Sequence, residues 1–291
     1  MPSVAASREK SSGVRRVLGG ILLANIVVVV VKFTVGFDTN SLAVFGDALQ
    51  SSVDAANNLF AIFVVRVAAK APDEDHPYGH AKFETLGALL IALLLTLSIF
   101  ELVRGAVARL VSGAPLLNVS GVALGMLMFT LLVNIAVVWF ETRAARRLRS
   151  DLLLADALHT RTDVFITLGV LASLALARAG LAWADPALAL VVAVLVGRAG
   201  YEILRRSIPS LVDERAFDWE IIQREAQGVA GVVSAYAIRS RRAGDVRFAE
   251  LTIAVDGTSN VASAHEIADQ VEGRLRDRLR LDEVTVHVEP C

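Results

Sequence analysis

The chain has 291 residues, 55% hydrophobic and 20% charged, with a formal net charge of -1 and a mean hydropathy of +0.56. That is too apolar for an ordinary soluble domain, so the chain is an integral membrane protein held in the lipid bilayer. The near-neutral balance gives no global bias toward nucleic acid or acidic partners, and the single cysteine, Cys291, leaves no intramolecular disulfide to form.

Met1 to Arg16 is polar and basic and reads as a tail. Six apolar stretches follow: Val17 to Gly36, Ser41 to Val67, Leu86 to Val111, Val119 to Phe140, Leu152 to Ala179 and Pro186 to Leu204. A bilayer core needs about 20 helical residues, so each stretch reads as a membrane span. The first is long enough to be a retained span, not a cleaved signal. Gly36 to Asn40, Ser112 to Pro115 and Ala184 to Pro186 supply turns that alternate with more strongly charged connections. Arg15 and Arg16, Lys70 and Lys82, Arg143 to Arg149, and Arg205 and Arg206 fall on one side, which the positive-inside rule makes cytosolic, with both termini there. Lys32, Arg104 and Arg109 dissent, and are expected to snorkel outward from span ends.

From about Ser207 the composition becomes that of a soluble domain. Asp218 to Gln227 and Val261 to Leu279 predict helices; Val232 to Ser240, Phe248 to Val255 and Val284 to Val288 predict strands. In the last strand Val284, Val286 and Val288 share one face, and Thr285, His287 and Glu289 the other. The expected fold is a six-helix transmembrane bundle, all-α, followed by a small cytosolic α+β domain of ferredoxin-like order αββαβ. The division is 1–16 tail, 17–206 membrane domain and 207–291 cytosolic regulatory or dimerisation domain. At about 80 residues that last domain buries little core alone, so dimerisation or membrane attachment is expected to support it.

Polar residues inside two spans carry the functional signal. Asp47, Gln50, Asp54 and Asn58 share one helical face, and His159 and Asp163 lie four apart in the fifth span. An Asp at the centre of a membrane helix costs about 2.5–3.5 kcal/mol on insertion scales, so such residues mark pathways. Gln50, Asp54, His159 and Asp163 offer oxygens and one imidazole nitrogen, which suits a divalent first-row metal. In the second connection Asp73, His76 and His80 have the spacing of a metal site or of solvated loop residues. Phosphate-loop, dinucleotide and HExxH patterns are absent, so neither ATP-driven transport nor a zincin protease has support and no enzyme is indicated.

The run HPYGHAKFE, His76 to Glu84, resembles the signature that opens the third span of cation diffusion facilitators. The six spans, the cytosolic domain and the run VTVHVEP, Val284 to Pro290, are similar to that family as well. The resemblance implies a homodimeric antiporter that exports a divalent metal from the cytosol in exchange for protons by alternating access, from a bacterial inner membrane. It matches Gln50 and Asp54 on the second span, and His159 and Asp163 on the fifth, to the transport site. Gln50 departs from the commonly acidic or histidine position. His159 resembles zinc- and iron-type members, favouring Zn or Fe(II) over Mn, with Co, Ni and Cd as further cargo. Asp47 and Asn58 take supporting positions.

The resemblance also matches Asp73, His76 and His80 to a second metal site, and His265, His287 and Glu289 to a cytosolic one that Tyr236 and Thr252 reduce. Lys82 and Asp213 match a charged interlock between domains. Metal binding needs neutral imidazole and ionised carboxylates, so protons compete with it, and His159, with a reference pKa of about 6.5, is the expected proton carrier. A membrane-bound metal sensor or scaffold with little transport is the rival reading.

Overall fold

Long apolar segments without water to bond their backbones must close their hydrogen bonds internally, and a helix does so. In the computed structural model, which describes residues 4–39, 42–112, 120–179, 181, 184–244 and 246–291, six long helices result. They are α1 (Val4–Thr39), α2 (Leu42–Ala68), α3 (Lys82–Ser112), α4 (Gly121–Leu148), α5 (Asp151–Arg178) and α6 (Ala184–Leu211). The expected tail is therefore helical from Val4 and continuous with the first span.

By length and apolar composition alone, five of these helices qualify as spans. The other, α5, is 28 residues long like α4 and α6, but carries Asp156, Arg161 and Asp163 in its first half. It completes the bundle as its polar member. Arg149, in a left-handed conformation at φ 50°, ends α4, and the Ser150 hydroxyl accepts from the Leu153 amide at 3.2 Å to start α5. The short connection makes α4 and α5 antiparallel neighbours that pack along their length.

The bundle core contains Val14 and Leu18 from α1, Val64 from α2, Leu95 from α3, Leu152 and Leu153 from α5, and Val196 from α6. Gly87 lets α3 approach closely: a Cβ there would stand 2.8 Å from Val64 and 3.0 Å from Leu152. Lys32 corrects the expectation of snorkelling. It is 1% exposed, and its Nζ donates to Ser51 Oγ at 2.8 Å. Burial beside a hydroxyl on α2 replaces a route to solvent.

The second compact unit contains the C-terminal domain: α7 (Trp219–Gln227), β1 (Ser234–Ala243), β2 (Val246–Val255), α8 (Val261–Leu279) and β3 (Glu283–Pro290). Its sheet has the order β1-β2-β3, with β1 antiparallel and β3 parallel to β2. A parallel pair needs a crossover, and α8 provides it. Asn260 caps α8, accepting from the Ser263 amide at 2.8 Å. Leu251 and Ile253 of β2 and Val284 of β3 are buried with Ile222 of α7 and Val271 and Leu275 of α8, so both helices cover one face. Ala237, at φ 50°, marks a bulge in β1 where the register shifts between Tyr236 and Arg239.

Residues 71–82 belong to this same unit. Tyr78 meets Phe248 edge to face with centroids 6.1 Å apart, and the Arg241 guanidinium lies 4.6 Å from the Tyr78 ring and 4.5 Å from the Phe248 ring. Lys82 Nζ donates to Asp213 Oδ1 at 2.9 Å, and Arg241 approaches the same oxygen at 3.4 Å. The Lys82 hydrogen bond, more than the charges of Lys82 and Arg241, holds the Asp213 carboxyl below the usual carboxylate range.

Candidate metal sites

Helix geometry places Asp54 on α2, and His159 and Asp163 one turn apart on α5. The three offer ligand atoms that all lie within 4.8 Å of one another. His159 Nε2 is 3.6 Å from Asp54 Oδ1, with side-chain exposures of 12% and 24%. Among the described residues, Asp54 Oδ1 and both His159 ring nitrogens are buried without a hydrogen-bond partner. Buried polar atoms left unpaired cost about 1–3 kcal/mol each, and a bound cation would recover that cost for those it reaches. Two carboxylates and an imidazole make a mixed oxygen and nitrogen donor set fit for a divalent transition metal.

The neighbouring polar residues separate into two kinds. Gln50, one turn before Asp54, is exposed. The side chain of Asp47 lies outside the described residues. Asn58 is 3% exposed and links helices: its Nδ2 donates to Asp156 Oδ2 at 3.0 Å, and its Oδ1 accepts from Asn25 Nδ2 at 2.6 Å. Lys32, Asp156 and Glu141 are buried and Asn25 half-buried polar groups of the bundle that hydropathy does not single out. The signal available for Asp156 was its position three residues before His159, on the same helical face.

The loop set is a different construction. Asp73, His76 and His80 also offer ligand atoms within 4.8 Å of one another. Asp73 Oδ1 accepts from the His76 amide at 2.8 Å and lies 3.1 Å from its Nδ1, while Oδ2 lies 3.3 Å from His80 Nε2. The His76 and His80 rings are 4.3 Å apart. Gly79, at φ +81°, makes the turn between them, and its amide donates to the His76 carbonyl at 2.9 Å. Asp73 and His76 are exposed and His80 is buried.

The C-terminal set does not converge within one chain. His265 stands on α8 with Nε2 3.8 Å from Asp269, while His287 and Glu289 face each other on β3 at 3.5 Å. Tyr236 donates its hydroxyl to the other Glu289 oxygen. That hydrogen bond, favouring the neutral phenol, raises the Tyr236 pKa above its ordinary value. Among the described residues only the membrane and loop sets gather three acidic or histidine ligands.

A helical bundle that spans the bilayer and gathers an internal donor set defines a membrane carrier for cations. Residues 21–212 match the cation efflux transmembrane domain and residues 215–291 the cytoplasmic domain of cation efflux proteins, so the chain belongs to the cation efflux, or cation diffusion facilitator, family. The second match is to the family's dimerisation module, which makes a second copy of the chain its partner.

The chain is similar to the cation-efflux pump FieF of Yersinia pestis (strain Pestoides F), at 31% identity over 94% of this chain and 91% of that protein. It is similar to the manganese efflux system protein MneS of Bacillus subtilis (strain 168), at 26% identity over 92% and 93%. The solved C-terminal domain of a MamM variant in its cadmium form matches 25% of this chain and 90% of its own, at 29% identity and a TM-score of 0.24. The chain is thus an integral multi-pass membrane protein that exports metal cations, and not an enzyme.

Proposed function

We propose that the chain exports a divalent transition metal, zinc or ferrous iron, from the cytosol in exchange for protons, by alternating access at Asp54, His159 and Asp163 with Gln50 at the margin. The observation that carries this reading is the convergence of three metal-capable side chains from α2 and α5 on one partly sheltered point. Metal requires the carboxylates ionised and the imidazole neutral at the coordinating nitrogen, so protons arriving from the far side displace it. The basic connections set both termini in the cytosol, the membrane being the bacterial inner one. The working division is 1–16, 17–206 and 207–291. Asp73, His76 and His80 form an accessory metal site, and Lys82 with Asp213 a latch.

The test is metal flux in proteoliposomes across an imposed pH gradient, with Asp54→Ala and Asp163→Ala as separate variants. Loss of flux in both supports the reading, and full flux in either removes that residue from the site. Manganese is the second reading, favoured by the similarity to MneS. Competitive flux of zinc, ferrous iron, manganese, cobalt, nickel and cadmium separates the two.

A further inference from the structure

Along α4, Ile135, Trp139, Arg143 and Arg146 recur at three- and four-residue steps and so share one face. Arg161 and Val164 of α5 border that face, since the two helices run antiparallel from a short connection and pack along their length. Together they line an open groove of about 630 Å³ that holds three guanidiniums and no carboxylate. Among the described residues none of the three makes an ion pair.

The groove has an apolar part and a charged part. α4 is free of charge from Gly121 to Phe140, a stretch that at about 1.5 Å per residue covers the roughly 30 Å hydrocarbon core. Trp139 therefore closes the apolar stretch, at the level where aromatic rings meet lipid head groups, and Arg143 and Arg146 stand just beyond it. Ile135 and Trp139 are 48% and 66% exposed, open to acyl chains. The cations lean inward. The Arg143 guanidinium lies 5.9 Å from the Trp139 ring and the Arg161 guanidinium 5.2 Å from the Phe165 ring, each ring one turn nearer the middle of its helix. A side chain that only sought water would turn the other way. Stacking on a ring leaves the N–H groups able to donate to an anion, and guanidinium matches phosphate through two parallel hydrogen bonds.

We propose that this groove binds an anionic membrane phospholipid, with the phosphate among Arg143, Arg146 and Arg161 and the acyl chains along Ile135, Trp139 and Val164. The leaflet is the one beside the α4–α5 connection, cytosolic in the topology proposed above. Basic pockets between membrane helices at that level suit anionic head groups. The metal cargo does not fit: three cations repel it, and a guanidinium has no acceptor to offer. A second copy on a two-fold axis through the groove does not fit either, because each set of cations would meet its own image. The lipid, once seated, bridges α4 to α5, the helix that carries His159 and Asp163.

Brominated lipids, which quench tryptophan on contact, test this on the full chain. Trp183→Phe with Trp219→Phe leaves Trp139 the only tryptophan. In bilayers of phosphatidylglycerol and phosphatidylcholine, brominated phosphatidylglycerol is expected to quench Trp139 more strongly than brominated phosphatidylcholine at the same mole fraction. Arg143→Gln, Arg146→Gln and Arg161→Gln are each expected to weaken that preference about fivefold. Arg→Lys at the same positions keeps the charge and is expected to retain most of it, which separates loss of charge from loss of fold. Equal quenching by the two lipids, or a preference unchanged when all three arginines become Gln, overturns the proposal. So does displacement of the lipid by excess glycerol phosphate, which marks a site for a soluble anion. Glutamine variants that shift dimer dissociation and leave the preference intact overturn it as well, and make the face a contact between copies. No metal enters the measurement, so its outcome is independent of the transport reading.

Discussion

The two three-residue ligand sets offer similar chemistry by opposite means. Asp73, His76 and His80 come from one short segment and are held by local bonds: an amide donating to Asp73, a glycine turn and two adjacent rings. Asp54, His159 and Asp163 come from two helices and meet only because the bundle packs. In the loop set the Asp73 carboxylate already lies against a nitrogen of each histidine. The membrane set leaves Asp54 Oδ1 and the His159 nitrogens without hydrogen-bond partners among the described residues. A largely exposed cluster whose carboxylate already faces both of its histidines gains less from a cation than a sheltered one. That difference supports the proposal that transport uses the membrane set and that the loop is accessory.

The largest expected effect follows from breaking the membrane set. Asp54→Ala or Asp163→Ala is expected to lower metal flux beyond the roughly 10–100-fold typical of losing a residue that only orients a ligand. Proteoliposome flux measures it, and a residual flux near the native level in either variant would dissolve the contrast. Gln50→Asp sharpens it instead. Adding a carboxylate beside Asp54 is expected to tighten zinc binding by about tenfold, roughly 1.4 kcal/mol, and to alter the order of preferred ions. Calorimetric titration and competitive flux read the two outcomes.

Breaking the loop set is expected to matter less. His76→Ala changes flux by less than about tenfold, because an exposed histidine in a turn shelters no cation from water. A loss as deep as that of Asp54→Ala would reverse the assignment of roles.

How much of this was legible in the sequence depends on whether the signal is local. Hydropathy places all six bundle helices within a few residues at most ends, and period-two alternation separates the buried and exposed faces of β3. The loop set and the His159 and Asp163 pair are readable because four-residue spacing is local geometry. Lys32 is misplaced by the same reasoning, and Glu141 is left just beyond the fourth span. A charge near the end of an apolar run normally seeks water, so the fourth span is drawn to stop at Phe140 and Lys32 to snorkel. Both are buried, Lys32 beside Ser51 of α2 and Glu141 inside the bundle. The position of a partner on another helix leaves no trace in a window of one sequence. The convergence of Asp54 with α5 was expected from family resemblance, not from spacing.

The smallest effect concerns the latch beside the loop. Asp213 has its carboxyl held below the ordinary value chiefly by the Lys82 hydrogen bond. A depressed folded value means the contribution is complete above the unfolded pKa of about 3.9 and is lost as pH falls through the folded one. Both partners are partly exposed, so Lys82→Ala is expected to cost at most about 1 kcal/mol at neutral pH. Denaturation of native chain and variant at pH 7, and again at progressively lower pH below about 4, should show the difference closing. A difference that grows on acidification would contradict the assignment.

Anomalous diffraction from crystals of the zinc-loaded chain tests the central claim most directly. The account predicts zinc between α2 and α5, with a nitrogen of His159 and oxygens of Asp54 and Asp163 at about 2.0–2.2 Å. Zinc confined to Asp73, His76 and His80, with nothing between Asp54 and Asp163, would contradict it.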